Sequence, residues 1–511
     1  MTLIVFRRSH LVLAAAYYLT LCAASAFGAD AESELASRVD QHLTVRGREA
    51  NLTSALPADD ATYLRRVYLD VIGRIPTAGE ARQFLDDDHS DKRQRLANRL
   101  LHSASHARHA ATLWRREWIP QADLPQSFHA HEIENWLAAQ FRERIGADQI
   151  VRDLLTSTPT EGGTGAPTTF LSASEFKPEN LAANSARAFL GLNLDCAQCH
   201  DHPFARWTRD QFWETAAFFS RPTVSETQPV ALMIAIPGLN RAVTPRFLTG
   251  MSPATPFEHR DNVGRTTFAE WVTSRQNPYF ARNLANRTWA QLFGIGLIEP
   301  LDDLNHENPA SHPELLEDLA RFLAEHQFDL SKLTASLLST RAYQLSSLSS
   351  STETADQRLY MRSVVRGLTG EQLYDSLSTA AGMRVESTSL DPHGSLRERT
   401  RFAEKFRIER AANAQRSILQ SLSLMNGSLT SQLTHVDQTP ALRAVAQTPF
   451  LDTRGRIESL FLATLSRFPS DDELTTYAAY IEQPQPPETS AARLADILWA
   501  LLNSAEFCTN H

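Results

Sequence analysis

The stretch Tyr63-Leu-Arg-Arg-Val-Tyr-Leu-Asp70, followed by Val71, Ile72 and Gly73, decides the fold class of this chain. Its apolar residues recur three and four positions apart, which is the spacing of one buried helical face. They are Leu64, Val67, Tyr68, Val71 and Ile72. Asp59 or Asp60 is suited to cap the first turn, and Gly73 is suited to end the helix. The stretch therefore predicts an amphipathic α-helix.

The same helical signal recurs along the chain. A Ser or Thr followed three residues later by Glu or Gln forms the capping box that opens a helix. Such pairs precede apolar helical spacing at Thr77/Glu80, Thr208/Gln211, Thr267/Glu270, Ser311/Glu314, Thr369/Gln372 and Ser470/Glu473. Capping signals this frequent predict a mainly α protein of many short helices.

Evidence for strands is confined to one place. Residues Ala231 to Ile236 and Arg241 to Phe247 flank the turn sequence Pro237-Gly-Leu-Asn240, which predicts one short β-hairpin. The hairpin falls in a Pro-rich stretch, 221–262, that we interpret as the connection between two domains.

The length of the chain also favours two domains, since about 480 mature residues exceed what one hydrophobic core usually serves. We predict a signal peptide at 1–29, a first helical domain at 30–220, the connection with the hairpin at 221–262 and a second helical domain at 263–511. Apolar residues make up 42% of the chain and charged residues 21%, as in ordinary globular proteins. The net charge of −9, without a Lys/Arg block, argues against a nucleic-acid partner and against anionic membrane surfaces.

The first 29 residues have the pattern of a secretory signal. Arg7 and Arg8 supply the positive start, Leu11 to Leu21 supply an apolar run, and small residues follow up to Ala29. This run is short for a bilayer and no later segment approaches eighteen apolar residues, so we expect no transmembrane segment. The sequence therefore predicts a periplasmic or otherwise exported protein of the cell envelope.

The stretch Cys196-Ala-Gln-Cys-His200 carries the chemistry of the chain. C-x-x-C-H is the attachment sequence for a c-type haem, in which the two thiols add to the vinyl groups and the histidine ligates the iron. We therefore predict covalent attachment through Cys196 and Cys199, with His200 as axial ligand. Downstream, Phe212, Ala216 and Phe219 predict an apolar face that either lines a porphyrin or belongs to the ordinary core.

Further ligands to the iron are predicted at three positions. Met251 lies in the loop-like stretch 249–253, and His109 shares a helical face with His102 and His106. A loop position and a partly solvated helix face are the plainer interpretations of these residues. His202 extends the motif to C-x-x-C-H-x-H, whose two thiolates and two imidazoles are also suited to zinc. Haem c, zinc or another metal, and a bare dithiol or disulfide therefore all remain open at this stretch.

The chain resembles two families that occur together. The stretch 63–70 with Gly73-Arg-Ile-Pro-Thr77, and the stretch Arg187 to Phe204, resemble the planctomycete cytochrome-like domain. Its usual companion, the planctomycete-specific domain, is similar to five pieces of the second half: Asn277 to Arg282, Asn286-Arg287, Ser311 to Leu316, Leu368 to Asp375 and Leu501 to Phe507. The resemblance implies an exported protein of largely uncharacterised type, whose cytochrome label depends on the C-x-x-C-H-x-H motif.

These observations predict an exported protein that binds one c-type haem and acts in electron transfer or a haem-dependent redox step. Its partner would be a periplasmic or cell-surface redox protein. The alternative from a different class is a zinc-stabilised scaffold module of the cell envelope, without redox activity. A hydrolase of polysaccharide or sulfated substrates is suggested only by the exported setting, and whether the protein is an enzyme stays open.

Overall fold

The computed structural model describes residues 31–119, 127–158, 165–221, 223–225, 228–253, 262–348, 356–383, 394–406, 418–483 and 490–511. The predicted signal peptide at 1–29 lies outside these ranges. The protein is mainly α, as predicted. Among the described residues, no helix combines the length and the apolar character needed to cross a bilayer.

The described residues of the first half form ten α-helices. They are α1 (31–49), α2 (Asp60–Ile72), α3 (Ala78–Leu85), α4 (Lys92–Leu101), α5 (Ala104–Trp118), α6 (Ser127–Arg142), α7 (Ala147–Thr156), α8 (Thr169–Ala173), α9 (Pro178–Ser185) and α10 (Arg209–Ala216). Short 3₁₀ turns lie at Ala166–Thr168, Asp195–Gln198 and Ala217–Phe219, and a π-helical turn lies at Ala186–Leu190.

The second half adds further helices. They are α11 (Val263–Val272), α12 (Phe280–Phe293), α13 (Pro313–Glu325), α14 (Leu330–Leu338), α15 (Gly370–Ala380), α16 (Gly394–Lys405), α17 (Ile418–Asn426), α18 (Ser428–Leu433), α19 (Pro440–Gln447), α20 (Thr453–Thr464), α21 (Asp471–Ile481), α22 (Ser490–Leu502) and α23 (Ala505–Cys508). A 3₁₀ turn lies at Gln357–Leu359.

The strands are short and form antiparallel pairs. β1 (Thr223–Ser225) pairs with β2 (Gln228–Ala231), β3 (Ile234–Ala235) with β4 (Ala242–Val243), and β5 (Arg366–Gly367) with β6 (Thr509–Asn510). The β3–β4 pair confirms the predicted hairpin, although each strand has only two residues. Ile234 lies opposite Val243, and Gly238 takes the left-handed conformation in the turn.

Helix α2 begins and ends as its sequence predicts. The side chain of Asp59 accepts a hydrogen bond from the backbone N–H of Thr62 at 2.7 Å. Gly73 adopts φ +76°, which favours glycine, and its N–H donates to the carbonyl of Tyr68. The apolar face is buried, and so are Arg65 and Arg66 on the other side. Helix α2 is therefore enclosed on more than one face.

Two large hydrophobic clusters share helix α2. The larger cluster runs from Leu35 to Tyr360 with Leu462, and Leu64 and Val67 belong to it. The smaller one combines Leu69 and Ile75 with residues from Leu368 to Cys508. Because the larger cluster includes residues before and after 221–262, the core is continuous past the predicted connection. The division into domains at that stretch stays a prediction.

Candidate functional site

A π-helical turn leads the chain into the cysteine motif. Helix α9 continues into Ala186–Leu190, and Gly191 ends the turn with φ +66°. A Cβ at this glycine would lie 2.8 Å from the Asn283 side-chain oxygen, so glycine is required by both conformation and space. Beyond it, Leu192 forms a β-bridge with Asp303. The approach to the motif is therefore packed closely against the second half of the chain.

Two side chains of α12 hold the backbone of this turn. Asn283 donates from Nδ2 to the carbonyl of Ala188 at 2.9 Å, and Arg287 donates from Nη2 to the carbonyl of Arg187 at 3.1 Å. Arg287 also donates from Nε to Asn283 Oδ1 and forms an ion pair with Glu117 of α5. Burial lowers the pKa of Arg287 to about 10, which leaves it charged at neutral pH. These bonds satisfy carbonyls that a π turn leaves exposed.

The motif itself forms a 3₁₀ turn. The N–H groups of Cys199 and His200 both approach the carbonyl of Cys196, at 3.3 and 3.4 Å. Ala197 is fully buried, and the indole N–H of Trp213 donates to the carbonyl of Gln198 at 3.0 Å. Cys196 lies in the turn Asp195–Gln198 and Cys199 caps its end. Residues three apart in a 3₁₀ turn share one face, so we expect the two thiols on the same face. Both are exposed free thiols.

His200 is exposed beside the two thiols. Its Nδ1 lies 2.8 Å from the carbonyl of Asp201, so the Nδ1–H tautomer donates there and Nε2 keeps its lone pair. Two thiols on one face and an adjacent imidazole with a free Nε2 are the donor set that a covalently attached haem requires. The residues present therefore fit this group.

His202 closes the turn that follows. Its Nδ1 accepts hydrogen bonds from the N–H groups of Ala205 at 2.9 Å and Phe204 at 3.2 Å, and its own N–H donates to the carbonyl of Trp207. Because Nδ1 accepts these bonds, the proton of the neutral ring lies on Nε2, and this arrangement leaves no ring lone pair for a metal. Within the described ranges, no group of three or more His, Cys, Asp and Glu side chains is arranged to hold a metal ion. Metal binding by His202 stays a prediction.

The structure places the other predicted ligands in different surroundings. Met251 is exposed in the loop after β4, where its carbonyl accepts the N–H of Phe247. His109 is half-buried on α5 with its ring against Gly73, while the neighbouring His106 reaches the carbonyl of Val71 at 2.9 Å. Burial lowers the pKa of His109 to about 3. His106 thus bonds to the last turn of α2 and His109 packs beside the glycine that ends it, and a second iron ligand stays a prediction.

A cleft of about 670 Å³ opens beside the motif. Asp195 and Gln198 contribute one wall. These two residues share a face of the 3₁₀ turn, and that face is adjacent to the face expected for the thiols. Helix α5 contributes Arg116, Glu117 and Trp118. The sequence analysis missed this cleft because its residues come from segments far apart in the chain. The one local signal was Trp114-Arg-Arg-Glu-Trp118, which places charges within a helix of the core.

Comparisons with known families agree with the order of the two resemblances. Residues 38–223 match PSCyt2, described as a protein of unknown function (DUF1549), and residues 264–417 match PSD1, described as a protein of unknown function (DUF1553). The chain therefore contains these two domains of unknown function in this order, and Cys196-Ala-Gln-Cys-His200 lies in the first. No curated protein and no solved structure matches the chain.

Proposed function

We propose that this chain is an exported c-type haem protein that transfers electrons, with haem attached through Cys196 and Cys199 and ligated by His200. One observation carries the proposal: two exposed free thiols lie in a 3₁₀ turn and at its end, next to an imidazole whose Nδ1 is engaged and whose Nε2 has no partner among the described residues. The family name PSCyt2, which the first domain matches, agrees with a cytochrome-like character. When bound, the haem supplies an iron that accepts and releases one electron.

The chain's own residues keep the attachment turn in place. Buried Ala197 and the bond from Trp213 anchor the turn itself, while Asn283 and Arg287 hold the backbone before it. The hydrogen bond from His200 to the Asp201 carbonyl orients the ring and makes Nε2 a stronger donor of its lone pair. Because the two thiols and the imidazole are held in place, they favour covalent attachment of haem and ligation of its iron.

Exposure of the site favours electron transfer to another protein. Cys196, Cys199 and His200 are all exposed, so a group attached to them lies at the protein surface. A periplasmic or cell-surface redox partner can approach such a group without a change of fold. The exposed Phe204, which follows in the next turn, adds apolar surface for this contact.

The test is expression of the full chain in the periplasm together with a cytochrome c maturation system. The purified protein should show a Soret band, retain haem in denaturing electrophoresis and exceed the bare-chain mass by one haem. The variants Cys196→Ser and Cys199→Ser should each lose attachment or reduce it to a single thioether. Cys508→Ser is the matched control, because Cys508 belongs to the smaller hydrophobic cluster, and it should retain the haem.

Two results would overturn the proposal. Colourless protein with the bare-chain mass and titratable thiols, after competent maturation, contradicts haem attachment. Stoichiometric zinc without iron, together with unfolding by chelators, would instead support the zinc-stabilised module.

A further inference from the structure

The cleft beside the motif has the size of a small-molecule site. Its volume of about 670 Å³ lies within the roughly 300–1,000 Å³ that ligand pockets occupy. Helices α5 and α9 and the 3₁₀ turn Asp195–Gln198 provide its walls, and α12 contributes Arg287. We call it the α5–α9 cleft.

Every charged side chain that lines the α5–α9 cleft is already in an ion pair. The pairs are Arg287 with Glu117, Arg187 with Asp195 and Asp302, Arg116 with Glu371, and Glu175 with Lys177. The cleft lining itself carries three cations and four carboxylates, a net charge of −1. An anion would meet excess negative charge, and a cation would compete with arginines that hold the carboxylates. The balance favours a neutral ligand.

Hydrogen-bonding groups nevertheless remain available in this cleft. The side-chain amides of Asn180 and Gln198 line it, and neither forms a hydrogen bond to another residue in the described part of the chain. Trp118 also lines it, but its indole N–H is buried away from the cleft surface and is not among the groups open to a ligand. The two amides offer both donors and acceptors. Hydroxyl groups match this set because each both donates and accepts.

Apart from Asn184, whose amide donates to the Ser174 hydroxyl, the remaining residues of the cleft lining are apolar. Ala183 and Ala188 line it from the chain before the motif, and Ile119 and Leu301 complete this part. A ligand with a ring of C–H groups and a rim of hydroxyls would satisfy both kinds of lining. We propose that the α5–α9 cleft binds a neutral saccharide unit. This binding does not depend on haem, since the cysteines lie on another face of the turn.

Saturation-transfer NMR and titration calorimetry on the full chain test this proposal. The neutral probes are glucose, galactose, mannose, N-acetylglucosamine, cellobiose and maltose. The charged probes are galacturonate, galactose 6-sulfate and inorganic phosphate. We expect at least one neutral sugar to bind with a Kd below about 10 mM, and the charged probes to bind more weakly or not at all.

Variants locate the binding. Ala183→Trp fills the cleft and should abolish binding, while Asn180→Ala and Gln198→Ala each remove one amide and should weaken it up to about tenfold. Asn98→Ala, at an exposed position of α4, is the matched control and should bind like the unmodified chain. Far-UV circular dichroism checks that each variant is folded. The two amide variants keep the test valid if Ala183→Trp does not fold.

Three results would overturn the saccharide proposal: no neutral probe binds, only charged probes bind, or both amide variants bind like the control. The same titrations on Cys196→Ser should give the same affinity as on the unmodified chain. A haem-free protein that still binds sugar therefore refutes the haem proposal alone, and a haem protein that binds no sugar refutes the cleft proposal alone.

Discussion

Arg366 Nη2 lies 2.8 Å from one carboxylate oxygen of Asp70 and 3.0 Å from the other, and both side chains are more than nine-tenths buried. Asp70 also accepts hydrogen bonds from the Tyr343 hydroxyl at 2.9 Å and from Asn510 Nδ2 at 2.8 Å. One carboxylate at the end of α2 therefore joins three segments of the second half. The helix that decides the fold class is also where both halves are connected.

Removal of this carboxylate should destabilise the whole protein. Asp70→Ala leaves the Arg366 guanidinium buried without its counter-charge, and such losses cost about 3–5 kcal/mol of unfolding free energy. Denaturant unfolding at pH 7 measures the loss. The control is Asp91→Ala, which removes a surface pair with Arg95 and should cost less than about 1 kcal/mol. Equal losses in the two variants would contradict the central role of Asp70.

Arg287→Lys should weaken both the fold and the haem site. A lysine ammonium cannot reproduce the separate bonds of the guanidinium to Asn283, the Arg187 carbonyl and Glu117. We expect a loss of about 2–3 kcal/mol in unfolding free energy, since charged hydrogen bonds in the interior are lost. The yield of covalently attached haem should fall as well, because the turn before Cys196 loses its support. Soret absorbance per polypeptide measures this yield.

The matched substitution is Arg282→Lys on the same helix. Arg282 forms an ion pair with Glu317 of α13, and both side chains are partly exposed. This variant should keep haem yield and stability close to those of the unmodified chain. If Arg287→Lys behaved in the same way, the support of the motif by α12 would be disproved.

The two half-buried histidines of α5, His106 and His109, should make the protein sensitive to acid. Burial lowers the pKa of His109 to about 3 and also lowers the pKa of His106. Below the unfolded pKa of about 6.5 the unfolded chain binds more protons, so stability falls as the pH drops from there towards 3. At pH 5 the contribution of His109 to this loss is about 2 kcal/mol.

A substitution isolates this contribution. His109→Leu lacks the titrating group, so its change in unfolding free energy between pH 7 and pH 5 should be about 2 kcal/mol smaller than that of the unmodified chain. His102→Gln, at an exposed position just before α5, should leave the pH dependence as it is. An identical pH dependence for His109→Leu and the unmodified chain would show that His109 does not stay neutral in the fold.

Local sequence patterns predicted the helices better than their exact starts. The capping boxes at Thr77, Thr208, Thr369 and Ser470 are confirmed, with both reciprocal bonds present. The box at Thr267 is wrong, because α11 already begins at Val263 and the Thr267 hydroxyl bonds to that residue's carbonyl. The sequence pattern identifies residues that are suited to cap a helix, but tertiary packing decides at which of them the helix begins.

The start of α13 shows a second reason for error. We predicted Ser311 as the cap, whereas the helix begins at Pro313 with His312 at the cap position. Proline has a φ angle suited to the first helical position and needs no N–H bond there, so it fixes the start. His312 is nearly fully buried, and its ring bonds to the Ser311 hydroxyl. The Ser311 hydroxyl therefore bonds to the His312 ring and does not cap the helix.

The site was predictable only where its residues are contiguous. Cys196, Cys199 and His200 form a local motif, and their shared exposed turn agrees with the spacing. The buried partners Asn283 and Arg287 lie about ninety positions later, and Glu117 lies about eighty positions earlier, so no spacing rule connects them. Such contacts arise only when the helices pack, which is why the α5–α9 cleft and its ion pairs needed the structure.

The three described cysteines should differ sharply in reactivity before haem is attached. Cys196 and Cys199 are exposed, while Cys508 is buried in the smaller cluster. N-ethylmaleimide added to reduced, folded, haem-free protein should therefore modify the two motif cysteines first, since access limits the attack on thiols. Peptide mapping by mass spectrometry assigns each adduct. Cys508 should react only on the timescale of unfolding, and added denaturant should make the three rates similar.

After haem attachment, neither motif cysteine should react. Modification of Cys508 as fast as the other two in the folded protein would contradict the burial of α23, and slow modification of the motif pair would contradict the exposed turn on which haem attachment depends.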